Sequence, residues 1–203
     1  MSAQLSQTPF YIRNIYRQVR ILNYIVVDFE FNQSFPFKFG KFSAPEKSCQ
    51  FEIIQIGAYK LNEHFQIIGA YNCFVKPKLY PRIHPYVEKL THIQKGELEQ
   101  CDGIEAVFEK FMRFVGEEPA KICIWGKDDH RILTQNIHYF KLDERILSYA
   151  FINVQQKVNE YLKVPSSTSI GLKTAIEQFQ ISVELDYHDA LNDAYYTALL
   201  FIL

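Results

Sequence analysis

Apolar and polar positions alternate over residues 24–31, a run of β-branched and aromatic side chains that predicts a buried strand. On such a strand Ile25, Val27, Phe29 and Phe31 point one way while Val26, Asp28 and Glu30 point the other. Two carboxylates roughly 7 Å apart then share one face. A hairpin follows, with arms at residues 51–61 and 65–75 around Asn62 and Glu63, and residues 121–125 form a short apolar strand ending at Gly126. Helical spacing marks residues 86–90, 95–100 and 104–115, and the stretch through Ile132, Leu133, Ile137 and Phe140. It also marks residues 189–203, where Ala190, Ala194 and Ala198 recur at every fourth position. Strands interleaved with helices predict one α/β domain on a mixed sheet.

Charges interrupt the apolar runs at three places: Asp28 and Glu30 in IVVDFEF, Asp129 in ICIWGKDDHRIL, and His188 with Asp193 in HDALNDAYYTALL. A charge buried without a partner costs several kcal/mol, so such groups titrate, pair or bind metal. A divalent cation pair is the simplest partner common to all five, although Asp28 and Glu30 could also be solvated acids at a sheet edge. His188 and Asp193 are five positions apart, roughly 140° around an ideal helix. They converge only if His188 precedes the helix, which the irregular composition of residues 183–187 permits; otherwise they read as a cap and a surface acid. Asp128 and Asp129 both follow a strand end, where open α/β sheets place ligands. Either can cap the next helix while the other ligates.

Taken in order, the three clusters resemble the DEDDh 3′-to-5′ exonucleases, and among them the ERI-1-like and KapD-like single-domain branch. DFE at residues 28–30 resembles the first family motif, WGKDD the WGxxD form of the second, and His188 to Asp193 the HxxxxD third motif. EIIQIGA, KLTHIQ and YAFINVQQ add to the likeness, which runs from about Asn23 to Leu203. The WGxxD spacing selects Asp129 as the ligand and leaves Asp128 as a cap or supporting acid. Two positions depart from the family: His92 stands where Gly is usual, and Asn153 where Asp is usual.

The resemblance implies a ribonuclease-H-like three-layer α/β/α domain and hydrolysis of single-stranded nucleic acid from its 3′ end. RNA is slightly favoured over DNA, and nucleoside 5′-monophosphates are the expected products. Oxygen ligands suit two Mg²⁺ or Mn²⁺ ions, with Asp28 shared between them, Glu30 and Asp193 completing the shells and Asp129 holding the second partly through water. His188, of ordinary pKa near 6.5, is the expected general base, with Glu30 helping to orient the water. The Phe31 backbone and the segment containing Thr91 and His92 are expected to grip the terminal nucleotide.

With 203 residues, 48% of them hydrophobic, the chain can bury a sizeable core. Residues 1–23 form a separate amphipathic segment in which Arg13, Arg17 and Arg20 lie among Phe10, Tyr11, Ile12, Ile15 and Tyr16. That pattern suits a helix packed on the domain or facing nucleic acid, and it lacks the apolar run of a signal peptide or membrane span. The exonuclease domain is expected over residues 24–203. Cys49, Cys73, Cys101 and Cys123 form no CxxC pair, which argues against structural zinc and for free thiols in a cytoplasmic protein. A net charge of −1 excludes the global basic field of a nucleic-acid coat protein. Lys76, Lys78 and Arg82 lie in a proline-bearing loop best read as a solvated connection. Residues 32–50 form a long loop carrying Phe35, Phe37, Phe39 and Phe42 beside Lys38 and Lys41, suited to stacking bases or to folding down as an apolar lid. The alternatives are a regulatory protein that keeps the exonuclease scaffold to bind a protein partner, and a proofreading subunit beside a polymerase.

Overall fold

The computed structural model describes residues 22–34, 37–38, 41–42, 45–165 and 168–203. Its centre is β1, Asn23–Gln33, which pairs antiparallel with β4, Phe51–Leu61, and parallel with β6, Ala120–Ile124. Outside these lie β5, Ile67–Phe74, antiparallel to β4, and β7, Ala150–Asn153, parallel to β6. The five-stranded mixed sheet has the order β5-β4-β1-β6-β7. A second ladder joins β2, Phe37–Lys38, to β3, Lys41–Phe42, so the 32–50 stretch holds regular structure that its composition did not predict.

Alternation along β1 divides the core. Ile25, Val27 and Phe29 pack against Phe108 and Phe111 of α3, Ile104–Val115, and against Leu133 and Ile137 of α4, Asp128–Phe140. Val26 faces the other layer: Val158 of α5, Val154–Tyr161, Ile176 of α6, Leu172–Gln178, and Tyr196 and Ala198 of α7, Ala190–Ile202. Helices thus cover both sheet faces, as expected for three layers. Each fully buried Val, Ile or Phe contributes about 1.5–3 kcal/mol. Asp28 and Glu30 share the Val26 face, which directs them towards α7.

Most predicted bounds hold closely, and the departures have local causes. The first hairpin arm and α3 coincide with expectation. The second arm starts later because Asn62 Oδ1 accepts from the His64 and Gln66 N–H groups, widening the turn. Two short helices follow β5: α1, Pro85–Thr91, capped by His84, and α2, Lys95–Leu98, opened by a Gln94/Glu97 capping box and shorter than the predicted 95–100. β7, α5 and α6 had not been predicted as elements. The four cysteines are free. No helix among the described residues is long and apolar enough to cross a membrane. The amphipathic 1–23 segment, up to residue 21, and the side chains of Phe35, Phe37, Lys38, Phe39, Lys41 and Phe42 lie outside what is described.

Candidate metal centre and active site

Asp28 and Glu30 stand on β1 opposite Gly57 and Gln55 of β4, and both β4 residues determine where α7 begins. A Cβ on Gly57 would lie 2.1 Å from the Ala190 carbonyl carbon and the Leu191 nitrogen. Only a bare backbone at this position lets the helix come so near the sheet. Gln55 then ties it down: its Nε2 donates to Asp189 Oδ2 at 2.9 Å, and its Oε1 accepts from the Ala190 N–H at 3.2 Å. Asp189 is the N-cap of α7, with Oδ1 accepting from the Leu191 and Asn192 N–H groups.

His188 therefore precedes the helix, in the left-handed conformation at φ 65°. That turn folds it back over α7, and its backbone N–H donates to Asp193 Oδ2 at 3.1 Å. One nitrogen or oxygen from each of Glu30, His188 and Asp193 falls within 4.8 Å of the others. The 140° separation on an ideal helix is thus removed by a single backbone conformation outside the helix.

Asp129 arrives from the other layer. Asn136, one face of α4 further along, donates through Nδ2 to the Phe51 carbonyl at 2.8 Å and accepts at Oδ1 from the Ile53 N–H at 3.1 Å. These bonds anchor α4 where the β1–β4 register shifts between Glu30 and Phe31. Asp129 is buried in the first turn, while Asp128 extends into solvent and pairs with Arg131 at 3.0 Å. Lys127 occupies the N-cap position and makes no side-chain cap bond, so the expectation that Asp128 caps this helix is corrected. Gly126, which precedes Lys127 and has φ 93°, makes the turn out of β6.

Six carboxylates share one field. Burial, then Asp129, Asp193, Glu30 and Asp189, hold Asp28 well above the ordinary carboxylate range. Burial, then Asp193, Asp189 and Asp129, push Glu30 up to about 8. Asp129 is raised to about 7 by burial, Asp128 and Asp193. Asp193 rises to about 6 through burial, with the His188 N–H opposing and Asp189 adding. No lysine or arginine among the described residues is named in any of these four balances. Asp193 Oδ1 is buried and accepts no hydrogen bond among the described residues. An orphaned buried oxygen within an acidic cluster is a donor set that fits hard divalent cations. His188 moves the opposite way, lowered by burial and then by the nearby His92.

The expected nucleotide-contacting residues lie beside this centre on the β4 flank. Phe31 is half-buried at the register shift, its ring 6.1 Å from Phe29. Thr91 Oγ1 donates to the Val87 carbonyl and accepts from the Ile93 N–H. His92 closes α1 in the left-handed conformation at φ 59°, which explains why Gly is usual there. Asn153 caps α5 by accepting from the Gln156 N–H at 3.0 Å, a task Asp performs equally well.

Asp189, a reasonable helix N-terminal residue from the sequence, does start α7, but the other residues that hold these parts in place carried no predicted role: Gln55, Gly57, Asn136, and the pair Asn32 and Glu52. Asn32 bridges the Tyr80 and Arg82 carbonyls and the His84 N–H, at 2.8, 2.8 and 2.9 Å. Glu52 accepts from the N–H groups of Lys78, Leu79 and Tyr80. Together they fix the loop that leads to α1 and His92. Their only sequence signal was polarity inside apolar strands, the same one that exposed Asp28.

A family model described as exonuclease, of the RNase T type, matches residues 25–201. Among solved structures, the nuclease domain of 3′hExo, a DEDDh family member bound to rAMP, superposes with TM-score 0.74 at 19% identity, covering 89% of this chain and 90% of that one. Cell-death related nuclease 4 gives 0.70 at 17% identity, covering 89% and 62%. E. coli exonuclease I with a dA16 oligonucleotide gives 0.66 at 15%, covering 89% and 40%. A 3′-exonuclease that recognises the histone mRNA stem-loop gives 0.72 at 17%, and this chain spans 62% of its length. No curated protein sequence matches the chain. The three-layer arrangement is the ribonuclease-H-like fold of these nucleases, and with the family model spanning most of its length, this chain belongs to the exonuclease family.

Proposed function

We propose that this protein is a metal-dependent 3′-to-5′ exonuclease of single-stranded nucleic acid, releasing nucleoside 5′-monophosphates. The observation that carries this reading is the convergence of Asp28, Glu30, Asp129 and Asp193 into one field with no cation and no bond to Asp193 Oδ1 among the described residues. Two Mg²⁺ or Mn²⁺ ions in this cluster would neutralise it, activate the attacking water and stabilise charge on the phosphate and the leaving 3′ oxygen. Asp28, on the central strand β1, would be the shared ligand, and Glu30, Asp193 and Asp129 would complete the shells.

His188 supplies the base. Its lowered pKa keeps the imidazole neutral near pH 7, so it can accept the water's proton. The Asp193 carboxylate holds the His188 backbone N–H and thereby the approach of the ring. Glu30, within 4.8 Å of His188, would help orient the water. Phe31, Thr91 and His92 flank the place of the terminal nucleotide. A modest preference for RNA, and membership of the ERI-1-like and KapD-like branch, rest on the motif forms DFE, WGxxD and HxxxxD. Solved relatives acting on 3′ ends of RNA and binding single-stranded DNA support a 3′-end substrate.

The test is shortening of 5′-labelled RNA and DNA oligonucleotides with Mg²⁺, Mn²⁺ or chelator. Expected are metal-dependent ladders that a blocked 3′ hydroxyl prevents and Asp28→Ala abolishes. His188→Ala should lower turnover by about 10²–10⁴-fold with little change in metal affinity. Wild-type turnover in that variant would remove His188 as base.

A further inference from the structure

A cavity of 680 Å³ opens at the carboxyl ends of β6 and β7, next to the turn that carries Asp129. Its walls include Trp125, Lys127, Asn153, Gln155, Asn159 and Thr168. The volume falls within the roughly 300–1,000 Å³ usual for ligand pockets, and the ends of parallel strands are where open sheets bind ligands. The far wall is held in place: Gln155 Nε2 donates to the Ile170 carbonyl at 2.8 Å, and Asn159 Nδ2 to the Thr168 carbonyl at 3.3 Å.

Sheet order gives the cavity its meaning. The strand bearing Asp28 and Glu30 is central. On the β4 side stand α1 and the Thr91–His92 segment, packed over Ile54 through Ile83, Val87 and Ile93. The cavity stands on the opposite, β7 side. A chain whose terminal nucleotide sits against α1, with its scissile phosphate over the acids, has this cavity on its far side. The chemistry there suits it. Trp125 is half-buried against the core, which leaves part of its indole facing the opening. Two acids on the rim are already paired, Asp128 with Arg131 at 3.0 Å and Glu160 with Lys157 at 2.9 Å. Exposed Lys127 pairs with no carboxylate among the described residues. Asn153 uses its Oδ1 to cap α5, and its amide nitrogen makes no hydrogen bond among the described residues. An unpaired cation, an aromatic edge and amide donors are what a phosphate and an unstacked base require.

We propose that this cavity receives the nucleotides immediately upstream of the scissile phosphate, with Lys127 at a phosphate and Trp125 against a base. The inference rests on the exonuclease reading. To test it, oligonucleotides carrying 5-iodouridine one, two or five positions upstream of the 3′ end are bound in Ca²⁺ and irradiated, and the crosslinked peptide is sequenced. The first two positions should crosslink the peptide containing Trp125, and the fifth should not. Crosslinks from the first two that map to α1 or the β4 flank overturn the proposal. Independently, Lys127→Glu should raise KM for an eight-nucleotide substrate by about fivefold, reflecting one lost phosphate contact; an unchanged KM also overturns it. If the wild-type protein shortens no oligonucleotide, the exonuclease reading itself fails. If it shortens them while either other result is negative, only the upstream subsite fails.

Discussion

Two buried acids a few positions apart in the sheet are handled in opposite ways. Glu52 on β4 is fully buried and accepts backbone N–H groups from Lys78 and Tyr80 at 2.6 Å and Leu79 at 2.8 Å. Glu30 on β1 is 9% exposed, faces three other acids, and is pushed to about 8. Burial raises both, but around Glu52 three amide donors oppose it. Burial therefore does not distinguish a structural acid from a functional one. What distinguishes them is whether the protein itself supplies the donors: Glu52 is closed by the fold, and the Glu30 cluster is left open for a cation.

The largest effect should come from separating α7 from the sheet, which breaks the open cluster and leaves the closed one intact. Gly57→Ala places a methyl 2.1 Å from backbone atoms of Ala190 and Leu191, which cannot rotate away. The helix start must lift, drawing His188 and Asp193 away from Glu30. A loss of about 3 kcal/mol or more is expected in denaturant melts, with turnover falling in the fraction that folds. Unchanged stability would mean the close approach is not needed.

Next in size is Glu52→Ala, which strands three backbone donors. It should cost about 2–4 kcal/mol and leave divalent-cation affinity near wild type. Asp193→Asn should do the reverse, abolishing turnover while raising the thermal midpoint of the metal-free protein by relieving repulsion. If both variants shifted stability in the same direction, the distinction between closed and open acids would fail.

A smaller effect sharpens the same contrast through pH. Glu30, Asp129 and Asp193 have folded pKa values of about 8, 7 and 6, above their unfolded values of 4.5, 3.8 and 3.8. Between those limits the folded state binds more protons than the unfolded one, so stability falls as pH rises. Metal-free protein should be most stable near pH 4–5 and lose thermal midpoint steadily towards pH 8. Added Mg²⁺ or Mn²⁺ should offset that loss most at the alkaline end, where the carboxylates are free to ligate. Flat melting behaviour over this range would show that the acids ionise without mutual cost.

The strands and helices that carry the cluster were legible because their periodicity is strong: the apolar pattern of β1 and the spacing of α3 and α7 came directly from side-chain faces. β7 was missed because four residues are too few for a period, and α5 because it follows β7 without a loop. Within the site, acids in apolar company were visible, and the position of His188 outside the helix followed from the geometry of a five-residue spacing. The supports were not visible. Gly57 matters through a helix that packs on it from 133 positions along the chain (190 − 57), and Asn136 through strand bonds 83 and 85 positions away. Tertiary distance of that kind leaves no local pattern. Of the two readings of Asp128, the cap fails for the same reason, since a polar residue at a helix start reads as a cap until the backbone shows which position it occupies; its influence on Asp129 remains.

The finest adjustment concerns His92, which lies at the edge of the open cluster. It occupies a left-handed helix end where Gly bears no steric penalty, so His92→Gly should change stability by no more than about 1 kcal/mol. Its consequence should appear instead in the pH profile. Burial first, and His92 second, hold the His188 pKa below its ordinary value. Removing the second influence lets that pKa rise, so more of the imidazole is protonated at a given acidic pH and less can act as base. The acid limb of kcat/KM should therefore shift to higher pH by less than about one unit, with rates near pH 8 nearly unchanged. A limb that stays in place, in a variant that folds normally, would separate His92 from the electrostatics of the base and leave burial alone to set it.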